Sequence, residues 1–183
     1  FVDAAAPPGG DGQSWLTALN DLPEALCMTR GSGGVTQEVW LKSGTYAPDG
    51  GSGDRGATFR LIDGVRILGG FDGTESLETQ RDPDVNVTIL SGDIGIPSDN
   101  SDNSYHVVNA SLTDATAILD GLTIADGRAN GVGPDHGGGG IIISGGGSPQ
   151  FVNCIIKNNS ASKFGGGMFN TNGSSPTVVG CTF

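Results

Sequence analysis

The chain has 183 residues, 33 of them glycine and only 6% aromatic, and carries a formal net charge of −11. That length holds one domain with a real core, and the acidic balance argues against nucleic-acid or anionic-membrane partners. The glycines keep no triplet period, which excludes collagen, and no apolar run is long enough to span a membrane.

Residues 1–13 are an Ala/Pro/Gly lead-in in which Phe1-Val2 can form a short first strand. Residues 14–30 are the one helical-looking segment. Asp21-x-x-Glu24 has capping-box form, Pro23 falls in the first turn, and Leu22, Ala25 and Leu26 share one side. Gly31 ends the pattern. Residues 1–36 therefore read as an N-terminal cap whose helix closes one end of the core, with Trp15 and Cys27 packed in the same plug. Short strands follow at 38–42, 58–62, 66–68, 86–90, 105–109, 117–119 and 122–124, separated by Gly, Asp, Asn and Ser. Two longer excursions interrupt them, at 92–103 and 126–137.

Residues 138–156 and 165–183 repeat one pattern at an offset of 27 residues. Gly138/Gly165, Gly139/Gly166, Gly140/Gly167, Gly146/Gly173, Ser148/Ser175, Pro149/Pro176, Val152/Val179 and Cys154/Cys181 are identical. A fixed period in this range marks a stacked repeat. Its apolar runs (141–143, 151–156, 168–170 and 178–183) are too short and too glycine-punctuated for helices. The reading is all-β: a parallel β-helix, a solenoid with coils of about 27 residues occupying residues 37–183 and continuing beyond them, its successive strands about 4.8 Å apart. Alternation turns Ile141/Met168, Phe151/Val178, Cys154/Cys181 and Ile156/Phe183 inward, and Ile142/Phe169 and Ile155/Thr182 outward. Asn153/Gly180 break the alternation and mark a bend. Residues 118–124 correspond to 151–156 at a spacing of about 33. Stacking puts the Cα atoms of Cys154 and Cys181 about 5 Å apart. A disulfide is within reach by distance, but two buried thiols are the preferred reading.

Gly138-Gly-Gly-Ile141 and Gly165-Gly-Gly-Met168 resemble the Gly-Gly-Ala-aliphatic motif of chlamydial polymorphic outer-membrane proteins, and Ile156-Lys-Asn-Asn159 resembles their Phe-x-x-Asn motif. More broadly the chain resembles large secreted bacterial proteins with pectin-lyase-like β-helices, through Gly10-Asp-Gly-Gln-Ser-Trp15, Val39-Trp-Leu-Lys-Ser-Gly-Thr-Tyr46, Gly69-Gly-Phe-Asp-Gly-Thr-Glu75 and Leu90-Ser-Gly-Asp93. The resemblance implies the right-handed β-helix and a secreted or cell-surface location. It says little about activity, because this architecture serves adhesins, passenger domains, lyases and hydrolases alike.

Candidate chemistry is sparse. Asp93, Asp99, Asn100 and Asp102, with Asn103, could wrap a Ca²⁺, which takes six to eight oxygens; a solvated Asx-rich loop is the plainer reading. Asp72, Glu75, Asp82 and Asp84 could supply a carboxylate pair for glycoside hydrolysis, whereas surface pairing of Arg81 with its acidic neighbours is preferred. Asp135-His136-Gly137 is similar to one part of the pattern of polygalacturonase-like hydrolases, whose other parts are missing. His106 reads as a half-exposed strand residue. Ile142, Phe169 and His136 are the candidate binding residues. The expected function is a structural or adhesive surface module that contacts an extracellular polysaccharide or a cell-surface partner, or self-associates end to end. The alternative is a polysaccharide lyase or glycoside hydrolase.

Overall fold

The structure, a computed structural model, describes residues 1–29 and 37–183. The expected helix end at Arg30 and Gly31 and the cap boundary at residue 36 lie outside the described residues. Short runs of β-branched and aromatic residues between glycine turns form strands too brief to stand alone, so each is held by parallel neighbours distant in sequence. One sheet is ordered β1 (Gln37–Lys42), β4 (Val65–Phe71), β7 (Ile118–Asp120), β11 (Gln150–Val152) and β15 (Thr177–Val179). A second contains β2 (Gly44–Tyr46), β5 (Thr88–Ser91), β8 (Thr123–Ala125) and β12 (Ile155–Lys157). A third contains β3 (Phe59–Arg60), β6 (Val108–Asn109), β10 (Ile141–Ile143) and β14 (Met168–Asn170). A small fourth pairs β9 (Arg128–Ala129) with β13 (Ser160–Ala161). The chain visits these sheets in a constant order, and every strand pairing is parallel. The fold of the described residues is thus mostly β and parallel, with one α-helix.

Register turns alternate residues into a single core. Val39, Ile67, Leu119 and Phe151 stand in one inward row; Val178 continues that row by register but, contrary to the expected inward packing, is 41% exposed. Tyr46, Leu90, Ile124 and Ile156 form the second, and Phe59, Val108, Ile141 and Met168 the third. The inward assignments of Ile141, Phe151, Cys154 and Ile156 agree with this packing, whereas Phe183 is exposed.

The repeat length is less uniform than the sequence suggests. Gln37 pairs with Val65, Arg66 with Ile118, Ile118 with Gln150 and Gln150 with Thr177, separations of 28, 52, 32 and 27 residues. Leu119, not Ile118, faces Phe151. The bend residues explain the slip: Gly121, Asn153 and Gly180 occupy equivalent positions with φ of 71°, 49° and 64°, a left-handed turn that glycine and asparagine tolerate best.

At the N-terminal end, Val2 bridges both Leu19 and Leu41, and Tyr46 Oη donates to Val2 O and Lys42 O. The helical segment is split by that bridge into a 3₁₀ turn, Trp15–Thr17, and α1, Leu22–Thr29. Asp21 Oδ2 accepts from Glu24 N at 3.2 Å, and Leu22, Ala25 and Leu26 join the core. Two expectations need correction. Cys27 is exposed, since it lies off the apolar side of α1. Trp15 packs with Phe1 and Phe71, both of which also meet Trp40, and donates Nε1–H to Glu75 O. Because Trp40 alternates with the inward Val39 and Leu41, that aromatic cluster covers the outer side of the first sheet.

Candidate functional site

The outward row of the third sheet brings a cation, an amide and two apolar side chains into one line. Register sets Arg60 beside Asn109, Asn109 beside Ile142, and Ile142 beside Phe169. The excursion at 126–137 rises next to this row. It contributes the strand β9 and then a 3₁₀ turn, Gly133–His136, with Pro134 in its first positions, so the expected loop carries local structure of its own. Gly137 bridges Phe164, and Lys163 N donates to His136 O at 3.0 Å. These contacts place the wall against the next strand pair.

A groove of about 540 Å³ lies between wall and sheet. Its apolar part is Ile142, Phe164 and Phe169, and its polar part includes Thr58, Asn109, Ser144, Thr171 and Asn172. Phe164 stacks on Phe169 with ring centroids 5.1 Å apart and 16° between planes, and His136 meets Phe164 edge-on at 5.5 Å. Phe164 is 50% exposed, whereas Ile142 is only 6% exposed. Ile142 is therefore floor rather than an open strip. The three candidate binding residues, Ile142, Phe169 and His136, all line this groove.

Sequence reasoning missed two of its residues. His106 was expected to be half-exposed, but it is 8% exposed and lies under the wall. Its Nδ1–H donates to Gly138 O at 2.9 Å, and Nε2 stands 3.5 Å from Asp135 Oδ1. Nothing in the spacing signals this pair, because Asp135 lies in an insertion outside the repeat. Phe164 was legible in principle: the 27-residue offset sets it opposite Gly137, beside His136. Arg55 anchors the surrounding loops. It donates to Asn103 O, Arg128 O and Asn130 Oδ1 and covers the Tyr105 ring at 4.3 Å.

The other candidates lie elsewhere. In the 92–103 excursion, Asp93 accepts Ser98 N–H on both oxygens, Asp99 accepts Ser101 N–H, and Asp102 accepts Ile96 N–H. Asn100 accepts from Arg128 through its main-chain and side-chain oxygens. The loop thus caps its own backbone with three of the side chains considered for Ca²⁺, Asp93, Asp99 and Asp102, while Asn103 Nδ2 donates to Asp126 O. Among the described residues, no three or more His, Cys, Asp or Glu gather in a metal-binding group. Glu75 is buried, its carboxylate accepting the N–H groups of Asp72, Gly73 and Thr74, which gives it the role of a turn anchor. Arg81 does not pair with its sequence neighbours as expected. It reaches Asp120 Oδ2 at 2.7 Å, because the loop folds back over the bend next to Gly121.

Among the described residues, no helix is long and apolar enough to cross a membrane. Compared with protein-family models, with curated proteins and with solved structures, the chain finds no match.

Proposed function

We propose that this chain is a right-handed parallel β-helix module of a secreted or surface-attached bacterial protein, and that it contacts carbohydrate without catalysis along the groove of the third sheet. The constant order of parallel strands supports the helical reading, and the general preference of parallel crossovers supports its hand. The Phe164–Phe169 stack beside Asn109, Ser144 and Asn172 carries the binding reading. A flat aromatic face takes the C–H face of a sugar ring, while amides and hydroxyls answer its hydroxyl groups. Among the described residues, no Lys or Arg lines this groove, so neutral saccharides suit it better than polyuronates.

The test is a panel of neutral and acidic oligosaccharides titrated calorimetrically against the native protein and Phe164→Ala. Selective binding of neutral members, weakened at least tenfold by the substitution, is the expected result. Equal binding by both proteins, or no binding across the panel, overturns the reading.

A second reading, a polysaccharide lyase or glycoside hydrolase, is favoured by the His106–Asp135 pair in the same groove. Turnover of any oligosaccharide in the panel, seen as new reducing or unsaturated ends and abolished in His106→Gln, would replace the non-catalytic proposal with this one.

A further inference from the structure

Cys154 and Cys181 follow the bend of the first sheet one strand layer apart. Val152 pairs with Val179 before them, and Ile155 bridges Thr182 after them. The two cysteines are therefore held in register from both sides, with Cα atoms about 5 Å apart, inside the range a disulfide spans. Cys181 Sγ accepts the Cys154 N–H at 3.3 Å, which brings the Cys181 sulfur against the Cys154 backbone. Both are free thiols in this structure. They differ in access: Cys154 is buried, and Cys181 is partly exposed.

We propose that Cys154 and Cys181 form a reversible disulfide that clasps successive layers of the fold, made by exchange with a small-molecule disulfide such as oxidised glutathione. The exposed member attacks first. Cys181 thiolate displaces one glutathione thiolate from the oxidant and becomes a mixed disulfide. Cys154 sulfur then attacks Cys181 sulfur, the second glutathione leaves, and the Cys154 proton passes to it. Two protein thiols are oxidised and one glutathione disulfide is reduced to two thiols, so electrons and atoms balance. The hydrogen bond from Cys154 lowers the Cys181 pKa, while that partner and burial push the Cys154 thiol up. This asymmetry assigns attack to Cys181 and resolution to Cys154. The stacked side chains argue for a strained, reducible bond rather than a permanent one.

Equilibrating the intact protein with glutathione redox buffers, acid trapping and peptide mapping tests this. The expected product joins the peptides of Cys154 and Cys181 while Cys27 remains alkylatable. Reduction should restore both thiols, and Cys154→Ala should arrest the reaction as a glutathione adduct on Cys181. Wild-type protein that stops at that adduct would overturn the proposal. So would oxidation confined to Cys27 with Cys154 and Cys181 still alkylatable after unfolding. The wild-type map decides the matter even if Cys154→Ala fails to fold.

Discussion

Arg81 ties the loop before β5 to the layers at Gly69 and Asp120. It donates to Asp120 Oδ2 and also to Gly69 O and Asp120 O, and both side chains are 13% exposed. Removing one member strands the other charge in a poorly solvated site. Arg81→Met should therefore cost roughly 3 kcal/mol in chemical denaturation, and adding Asp120→Asn should recover part of that loss. Glu78 acts near the surface. The Arg66 guanidinium holds its carboxyl below the usual range. A lowered folded-state pKa gives stability that is present above the unfolded value and lost as pH falls through the folded one. Glu78→Gln should flatten the stability-against-pH curve below about pH 4.3 and leave its shape near neutrality unchanged. At Gly139, a Cβ would overlap Ser160 O and press on Gly127 O and Gly166 O. Gly139→Ala should lower the melting temperature sharply, because three backbone segments would have to separate.

At the scale of elements, the inward rows carry the fold and the insertions carry the site. Phe151 is fully buried between Leu119 and Val178. Phe151→Ala should destabilise by about 3–5 kcal/mol, whereas Ile155→Ala, on the exposed outer side, should cost under about 1 kcal/mol; paired denaturant melts measure both. This contrast was legible in the sequence, because period-2 alternation within a 27-residue repeat fixes which side each residue faces. The strands β2, β9 and β13 were not legible as strands. They span two or three residues, too few for alternation to register, and pairing with distant neighbours defines them. The Ile118–Leu119 slip has the same origin: only the left-handed bend shared by Gly121, Asn153 and Gly180 fixes how many residues precede the turn.

Across the whole molecule, two aromatic surfaces compete as binding platforms. One is the N-terminal cluster of Phe1, Trp15, Trp40 and Phe71. The other is the groove with His136, Phe164 and Phe169. The first is tied into the fold through Trp15 Nε1 and Glu75 O and reads as structural. The second keeps a half-exposed ring above a polar rim and is the surface proposed to bind saccharide. Ile142 and Phe169 were legible in the sequence as outward neighbours, yet the approach of His136 to them was not, since it depends on an insertion of no fixed period folding back over the sheet. The most direct measurement is aromatic ¹H–¹³C chemical-shift mapping during titration with a neutral oligosaccharide. The account predicts saturable shifts at Phe164, Phe169 and His136, with the Trp15 and Trp40 signals unmoved. Shifts centred on the Trp cluster, or none at the groove at saturating sugar, would contradict it.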